Sequence, residues 1–201
     1  IAVVIKLIDA KMVYVSTDYV FDGKGNEPQS EEKQPAPVNY YGYTKAQGEQ
    51  IVKSTIEKHF IIRTSWLYGK NGSNFVKTML KLAKEKNEIR VVNDQIGAPT
   101  YSRDLAILIC DMIQTNKYGI YHCANEGFCS WYDFACEIFK KAGINLKVNP
   151  ISSAEYPSRA KRPLNSRLSK GNLDKNGFKR LPRWEDALER YLLELNKRSD
   201  N

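Results

Sequence analysis

The sequence predicts an α/β fold built around a parallel sheet. Short apolar runs rich in β-branched residues, such as 12–16 and 60–64, alternate along the chain with longer amphipathic segments. This alternation is typical of β-α-β units, in which helices cover the faces of a parallel sheet. The 201 residues, of which 42% are hydrophobic, suffice for one domain or for one domain with a small lobe.

Strands and helical segments alternate through the N-terminal half. Residues 1–10 have the character of the end of a crossover helix that leads into a strand. A polar, proline-rich stretch at 22–37 is either a surface excursion or a flap over a ligand. The remaining predicted elements here are strands at 12–16, 60–64 and 89–92 and helices at 41–58 and 74–86.

The alternation continues in the C-terminal half. A helix is predicted at 102–114 with Ser102 as its N-cap, and another at 130–142 with Ser130 as its N-cap and Gly143 as its stop signal. Ser166 is expected in a basic loop. The remaining predicted elements are a strand at 119–123, a strand around residue 148 and a last helix at 183–196.

Tyr41 and Lys45 stand four residues apart in a predicted helix, so their side chains share one face. A nearby ammonium favours phenolate over phenol and lowers a tyrosine pKa that starts at about 10. Such a tyrosine can exchange a proton near neutral pH, the chemistry that a carbonyl or carbinol requires. The chain has 12 tyrosines and 31 lysines plus arginines, so this spacing alone also fits an ordinary exposed helix.

The first predicted strand ends in the polar residues Ser16, Thr17 and Asp18. In open α/β sheets, ligands bind beyond the carboxyl ends of the strands. We therefore expect these side chains to face the same ligand as Tyr41 and Lys45. The plainer alternatives are an ordinary strand residue for Thr17 and a turn or cap for Asp18.

Five motifs follow one another across almost the whole chain. They are Ser16-Thr-Asp-Tyr-Val-Phe-Asp-Gly23, Tyr41-Gly-Tyr-Thr-Lys45, Arg63-Thr-Ser-Trp-Leu-Tyr-Gly69, Gln95-Ile-Gly-Ala-Pro-Thr100 and Arg162-Pro-Leu-Asn-Ser166. With these motifs the chain resembles the dTDP-4-dehydrorhamnose reductase family, a group of extended short-chain dehydrogenases/reductases. The resemblance implies a Rossmann-like, doubly wound parallel sheet with a smaller C-terminal substrate lobe.

The resemblance also implies catalytic roles. Tyr41 is expected to act as the general acid that protonates the C4 oxygen, while Lys45 lowers its pKa and hydrogen-bonds the nicotinamide ribose. Thr17 is expected to polarise the substrate carbonyl by donating a hydrogen bond. Ser16 is expected beside the cofactor, together with Tyr41 and Lys45.

Substrate-binding roles follow from the same resemblance. Asp18 and Tyr19, with Thr17, are expected to line the sugar site. Trp66 is expected to contact the sugar, although a core position is the alternative for a large aromatic residue after a strand. Arg162 is expected to hold the diphosphate bidentately, or else to be a rim arginine without a partner. The 97–100 turn is implied as a wall of the pocket.

One part of the family pattern does not occur in these 201 residues. Members begin with a strand, a Gly-x-x-Gly-x-x-Gly turn and a helix that bind the cofactor pyrophosphate. We therefore interpret the chain as N-terminally incomplete and expect the fragment alone to be inactive. The expected division is the remaining part of the dinucleotide-binding domain at 1–145, with substrate-lobe insertions around 66–102, and a mainly substrate-binding lobe at 146–201.

Composition narrows the classes of function. The formal net charge is +8, but the lysines are spread over amphipathic helices and no nucleic-acid-binding signature accompanies them, so a nucleic-acid binder ranks as a third alternative. No apolar stretch reaches the ~20 residues that span a bilayer, and we expect no membrane association and a cytoplasmic location.

The four cysteines do not indicate a metal or disulfide site. Cys110, Cys123, Cys129 and Cys136 have neither Cys-x-x-Cys spacing nor a disulfide framework, and we expect buried free thiols. His122 lies in a strand-like segment and is expected to be a hydrogen-bonded buried histidine. No metal ligand is predicted.

The resulting hypothesis is an NADPH- or NADH-dependent oxidoreductase that reduces the C4 keto group of a dTDP-sugar, dTDP-4-dehydro-L-rhamnose, for cell-surface polysaccharide. A homodimer is the oligomer considered. Two alternatives stay open: another extended short-chain sugar-nucleotide epimerase or dehydratase, and a non-catalytic regulatory binding subunit. Dehydratases of this group typically follow the threonine with Asp-Glu, whereas Asp18-Tyr19 stands here.

Overall fold

The computed structural model describes residues 1–156, 158 and 160–196. Helices and strands alternate through this part of the chain, as predicted. Short 3₁₀ turns cover Asp18–Val20 and Ser153–Glu155. The elements are α1 Ala2–Leu7, β1 Met12–Thr17, α2 Tyr40–Thr55, β2 His59–Thr64, β3 Leu67–Tyr68, α3 Phe75–Glu85, β4 Glu88–Val92, β5 Ile96–Gly97, β6 Thr100–Tyr101, α4 Ser102–Ile113, β7 Gly119–His122, β8 Cys129–Ser130, α5 Trp131–Lys141, β9 Lys147–Ile151, β10 Asn165–Ser166, α6 Gly171–Lys175 and α7 Trp184–Asn196.

The main sheet has the strand order β1-β2-β7, and both pairings are parallel. Its register pairs Thr17 with Thr64 and Arg63 with His122, so the carboxyl ends of the three strands lie at the same edge. The parallel α/β fold predicted from the sequence is confirmed. Ligands in open α/β folds bind beyond the carboxyl ends of the strands, and the residues after Thr17 lie at that edge.

Apolar side chains of β2 and α4 form the core beneath this sheet. Phe60 and Ile62 on β2 pack with Leu105, Leu108 and Met112 on α4, and all five are at most 4% exposed. Full burial of such a side chain stabilises the fold by roughly 1.5–3 kcal/mol. This core fixes the strands whose ends carry the candidate site.

A second core lies between α3, α5 and α7 and the parallel pair β4–β9. The helix α5 contributes Phe134, Ile138 and Phe139, each at most 3% exposed, and α7 contributes Leu188 and Tyr191. Within the described residues, α5 therefore packs with elements expected in the substrate lobe, although it lies in the 1–145 range.

The proline-rich stretch at 22–37 is hydrogen-bonded to the segment before α6. Asn165 donates its backbone N–H to Gly23 (3.1 Å), Gln29 donates to Arg167 (2.9 Å), and Ser169 donates back to Gln29 (2.9 Å). These bonds hold a long connection without regular secondary structure against the C-terminal part of the chain.

Predicted caps had different outcomes. Ser130 caps α5 in a capping box with Asp133, and Gly143 follows the helix at φ 67°, as predicted. The prediction that Ser102 caps α4 was wrong, because β6 runs directly into the helix and Tyr101 occupies the cap position without a side-chain bond.

Ser166 was predicted in a loop and instead belongs to β10. That strand pairs in parallel with β5, with Ser166 opposite Gly97, and β5 also pairs with β8. A pairing between residues so distant in sequence leaves no local pattern. No helix within the described residues has the length and apolar character needed to cross a bilayer.

Candidate functional site

The start of α2 packs directly against the turn that follows β1. Asn39 caps the helix by accepting the backbone N–H of Gly42 at 2.8 Å. A Cβ at Gly42 would lie 2.0 Å from the carbonyl oxygen of Tyr19, so only glycine permits this approach. Tyr41, beside Gly42 in the chain, is thereby held at the carboxyl end of β1.

Lys45, one turn further along α2, reaches back to the same strand. Its ammonium donates to the carbonyl of Val15 at 2.5 Å and lies 4.3 Å from the centre of the Tyr14 ring. Partial burial lowers the pKa of Lys45, while the charge of Glu49 acts in the opposite direction. Burial also raises the pKa of Tyr14. The ammonium of Lys45 therefore lies beside Val15, which precedes Thr17 by two residues in β1.

The phenol of Tyr41 is accessible, with 54% of the residue exposed, and its ring stands edge-on to Tyr19 at 5.9 Å. Thr17, between Val15 and Tyr19 in the chain, accepts the backbone N–H of Tyr19 at 3.2 Å and donates to Asp18 at 3.1 Å. The structure therefore brings Thr17, Tyr41 and Lys45 to the same end of β1.

Asp18 is buried beneath this surface, with 3% of the residue exposed. Desolvation raises its pKa from 3.8 to about 6, and the nearby Ser166 and Thr17 hydroxyls oppose this rise. Its Oδ2 has no hydrogen-bond partner within the described part of the chain. A buried acceptor of this kind suits a hydroxyl donor from a ligand.

Ser16 is buried, and its hydroxyl is used inside the protein. It donates to Glu49 on α2 at 2.5 Å, and the same carboxylate accepts two hydrogen bonds from Arg63, at 2.9 and 2.6 Å. Sequence reasoning missed Glu49 and Arg63, because charged residues on a helix and a strand read as solvent-facing. Ser16 lies in β1 near the expected cofactor side, but its hydroxyl is already bonded to Glu49 and is not free for a ligand.

His122 is a buried, hydrogen-bonded histidine, as predicted. Because Arg63 Nη1 can only donate, His122 Nε2 accepts at 3.3 Å, and its Nδ1–H donates to the carbonyl of Ser169 at 3.0 Å. Desolvation and the charge of Arg63 lower the pKa of His122 to about 3. Of the cysteines, Cys123 is buried as expected, whereas Cys110 is exposed on α4, which corrects that part of the prediction.

Trp66 is partly buried and held in an unusual backbone conformation, with φ 49°. Its indole stacks on Trp131 at 3.6 Å between ring centres, and a Cβ at Gly97 would lie 2.7 Å from the ring. The 97–100 segment can pack this closely against Trp66 because Gly97 has no side chain. Trp131 was not recognised from the sequence, because an aromatic residue at the start of a helix indicates only packing.

A cavity of about 1020 Å³ extends from Trp131 along the β4 strand to the segment around Arg162. It is lined by side chains of α3 and β4, among them Met79 and Val91, and by Tyr156. Arg162 is exposed on its wall, and its positive charge opposes the rise that burial causes in the pKa of Tyr19. The cavity wall also reaches the start of α2, because Asn39 donates its side-chain N–H to the carbonyl of Lys161 at 2.9 Å. Arg159, three residues before Arg162, lies outside the described residues.

The residues present suit one half of a nicotinamide cofactor. The ammonium of Lys45 and the accessible hydroxyl of Tyr41 lie on the outer side of β1, where Val15 is 43% exposed, and both groups can bond ribose hydroxyls. Within the described residues, no group of three or more His, Cys, Asp or Glu side chains is arranged to hold a metal ion. The site offers a phenol, a hydroxyl and an ammonium near a cavity of about 1020 Å³.

Comparisons with known proteins identify relatives of this chain. A family described as the RmlD substrate binding domain matches residues 1–197. The chain is 44% identical to the spore coat polysaccharide biosynthesis protein SpsK of Bacillus subtilis, with 96% of this chain and 68% of that protein covered. It is 43% identical to the dTDP-4-dehydrorhamnose reductase of Escherichia coli K12, with 94% and 67% covered.

A solved structure of dTDP-4-dehydrorhamnose reductase from Bacillus anthracis in complex with NADP has the same fold. It matches with a TM-score of 0.94 and 51% identity, over 96% of this chain and 69% of that one. The chain spans about two thirds of the length of the curated relatives named above. The site geometry and these matches together show that the chain belongs to the RmlD substrate binding domain family.

Proposed function

We propose that this chain carries the catalytic and sugar-binding residues of a reductase that converts dTDP-4-dehydro-L-rhamnose to dTDP-L-rhamnose. The observation that supports this most strongly is the arrangement of Lys45 on Val15, Tyr41 against Tyr19, and Thr17 between them. The Escherichia coli relative, which is 43% identical over 199 residues, is named after this reaction.

Each catalytic residue has one task in this proposal. When the substrate binds, Thr17 turns its hydroxyl hydrogen from Asp18 to the C4 oxygen and so stabilises the charge that develops there. Tyr41 transfers its phenolic proton to that oxygen, and Lys45 stabilises the phenolate that remains. The nicotinamide cofactor, when bound, supplies the hydride that C4 receives. One C–H and one O–H bond are formed, and the C=O double bond becomes a carbinol.

Binding of the sugar nucleotide is assigned to both sides of the cleft. Asp18 accepts a sugar hydroxyl through its unpartnered Oδ2, and Tyr19 and Trp66 provide aromatic surface for the ring. Arg162 binds the diphosphate at the mouth of the cavity. In this scheme residues 1–145 supply the nucleotide-binding part, with insertions at 66–102, and the lobe from 146 completes the substrate site.

The cofactor proposal is NADPH or NADH, held on its nicotinamide side by Tyr41 and Lys45 with Ser16 beneath. Support comes from the NADP complex of the Bacillus anthracis relative, which is 51% identical. We further propose a cytoplasmic site of action and a homodimer. Sedimentation of the purified protein tests the oligomeric state directly.

The test uses a fusion of this chain with the part of the Bacillus anthracis relative that it does not cover. NADPH oxidation is followed with dTDP-4-dehydrorhamnose, dTDP-4-dehydroglucose and dTDP-glucose, and the product is analysed by chromatography. We expect NADPH oxidation with dTDP-4-dehydrorhamnose and formation of dTDP-rhamnose. Epimer or dehydration products, or sugar-nucleotide binding without turnover, would contradict the proposal and favour the epimerase, dehydratase or regulatory alternative.

A further inference from the structure

The helix that carries Tyr41 and Lys45 is attached to the sheet mainly through a charged residue. Of the sixteen residues of α2, only Gly42, Glu49 and Val52 are buried. A helix of this length on a sheet normally buries an apolar stripe. Here the largest buried side chain of α2 is a glutamate that is 4% exposed.

Glu49 binds two neighbouring strands at the same register position. Its Oε1 accepts from Ser16 on β1 at 2.5 Å and from Arg63 Nε on β2 at 2.9 Å, while its Oε2 accepts from Arg63 Nη2 at 2.6 Å. Ser16 and Arg63 are paired residues of the parallel ladder. Three directional bonds to two strands restrict both the rotation of α2 and its shift along the sheet.

Arg63 is itself fixed from the far side. It is 1% exposed, and its Nη1 donates to His122 on β7 at 3.3 Å and to the carbonyl of Glu31 at 3.4 Å. All three strands of the main sheet therefore contribute to the position of one carboxylate on α2. The anchor lies one helical turn beyond Lys45 and two turns beyond Tyr41.

We infer that Glu49 is a positioning residue for the proposed reduction: through Arg63 and Ser16 it holds α2 where Tyr41 and Lys45 face Thr17. This inference rests on the proposed function. Glu49 itself touches neither substrate nor cofactor in this account. Its contribution is the placement of the proton donor, where a displacement of about 1 Å can lower the rate about 100-fold.

The test compares two buried carboxylates, each of which accepts two hydrogen bonds from one arginine. Glu49→Gln removes the charge at α2, and Asp104→Asn removes the charge of a remote pair, in which Arg190 donates to Asp104 at 2.6 and 2.7 Å. Asp104 is 5% exposed, so each change removes the charge of a buried carboxylate that accepts two hydrogen bonds from an arginine. Arg190 is itself 37% exposed and keeps its bond to Asp186 at 2.9 Å. A loss of stability alone should therefore lower the free energy of unfolding of both variants without acting on α2 in particular.

Two readouts separate positioning from stability. The first is amide hydrogen exchange of α2 and α7 in the chain itself, which needs no cofactor. We expect Glu49→Gln to speed exchange in α2 by about tenfold or more and to leave α7 unchanged, whereas Asp104→Asn affects α7. Unchanged exchange in α2 would overturn the inference.

The second readout is the turnover rate of the fusion protein. It is divided by the number of sugar-nucleotide binding sites, which calorimetry measures. Glu49→Gln should lower kcat by about 10- to 100-fold with an unchanged dissociation constant for dTDP-rhamnose, and Asp104→Asn should keep the parental kcat. An unaltered kcat in Glu49→Gln would overturn the inference.

If Glu49→Gln does not fold, Arg63→Lys replaces it, because it keeps the charge but loses the paired donors. This variant should show a smaller change in the same two readouts, and wild-type values in either would overturn the inference. A parent fusion that binds the sugar nucleotide without turnover would refute the proposed function alone, and exchange in α2 would then decide the role of Glu49.

Discussion

Replacement of Gly97 by alanine tests whether Trp66 forms a closely fitted wall of the sugar site. A Cβ at this position would lie 2.7, 2.9 and 3.0 Å from three atoms of the Trp66 indole. Carbon atoms pack at about 3.5–4.0 Å, so the ring or the β5 strand must move by about 1 Å. The ring already stacks on Trp131 at 3.6 Å, and any movement disturbs that contact.

The expected cost of Gly97→Ala is about 2 kcal/mol in the free energy of unfolding, as for other overpacked sites. In the fusion protein we expect kcat/KM to fall by about tenfold or more, because the proposed function assigns Trp66 to the sugar site. Urea unfolding of the chain followed by circular dichroism measures the first effect, and NADPH oxidation measures the second.

Gly171→Ala is the matched control for this change. A Cβ at Gly171 would lie no closer than 3.8 Å to other atoms, an ordinary contact. This variant should differ from the parent by less than about 1 kcal/mol. The double variant Gly97→Ala, Trp66→Phe should recover part of the lost stability, because the smaller ring leaves room. Parental stability and activity in Gly97→Ala would refute the reasoning.

Three further predictions concern single side chains. The pKa of Asp18 is raised to about 6 in the folded protein, so the folded state binds this proton more tightly and stability falls as pH rises from 4 to 7. Relative to Asp18→Asn, the parent should lose about 2 kcal/mol over that range in urea unfolding, and a pH-independent difference would contradict the assignment. Arg162→Ala should weaken dTDP-rhamnose binding by about tenfold in calorimetry and should affect rhamnose 1-phosphate binding less. If the variant and the parent bind dTDP-rhamnose with equal affinity, Arg162 does not bind the diphosphate. Ser130→Ala should lower the free energy of unfolding by about 1 kcal/mol through loss of the α5 capping box, with Ser54→Ala on the exposed side of α2 as the neutral control; identical melting of the two variants would count against the cap.

The alternation of strands and helices could be predicted from local pattern alone. The pattern of residues 60–64 predicts a buried strand, and these residues belong to β2. Ser130 is predicted as a helix cap, and it forms a capping box with Asp133. What failed depends on distant partners. Ser166 pairs with Gly97, and Ser102 loses the cap position to a strand that runs straight into its helix.

The candidate site shows the same division between local and distant information. Tyr41 and Lys45 follow from a four-residue spacing on one helix. The anchor beneath them could not be predicted, because Glu49 meets Arg63 and Ser16 only once α2 lies on the sheet. The stack of Trp66 on Trp131 joins residues 65 positions apart, and no periodicity along the chain indicates such a contact.

The Tyr41→Phe variant most directly tests the proposal that Thr17, Tyr41 and Lys45 form one site at the end of β1. Tyr43 is the control, since it lies on the same helix and is 52% exposed, against 54% for Tyr41. In the fusion protein, Tyr41→Phe should lower kcat by about 100-fold or more and leave dTDP-rhamnose affinity unchanged, while Tyr43→Phe keeps the parental rate. A Tyr41→Phe protein that turns over as fast as its parent would show that the proton comes from elsewhere.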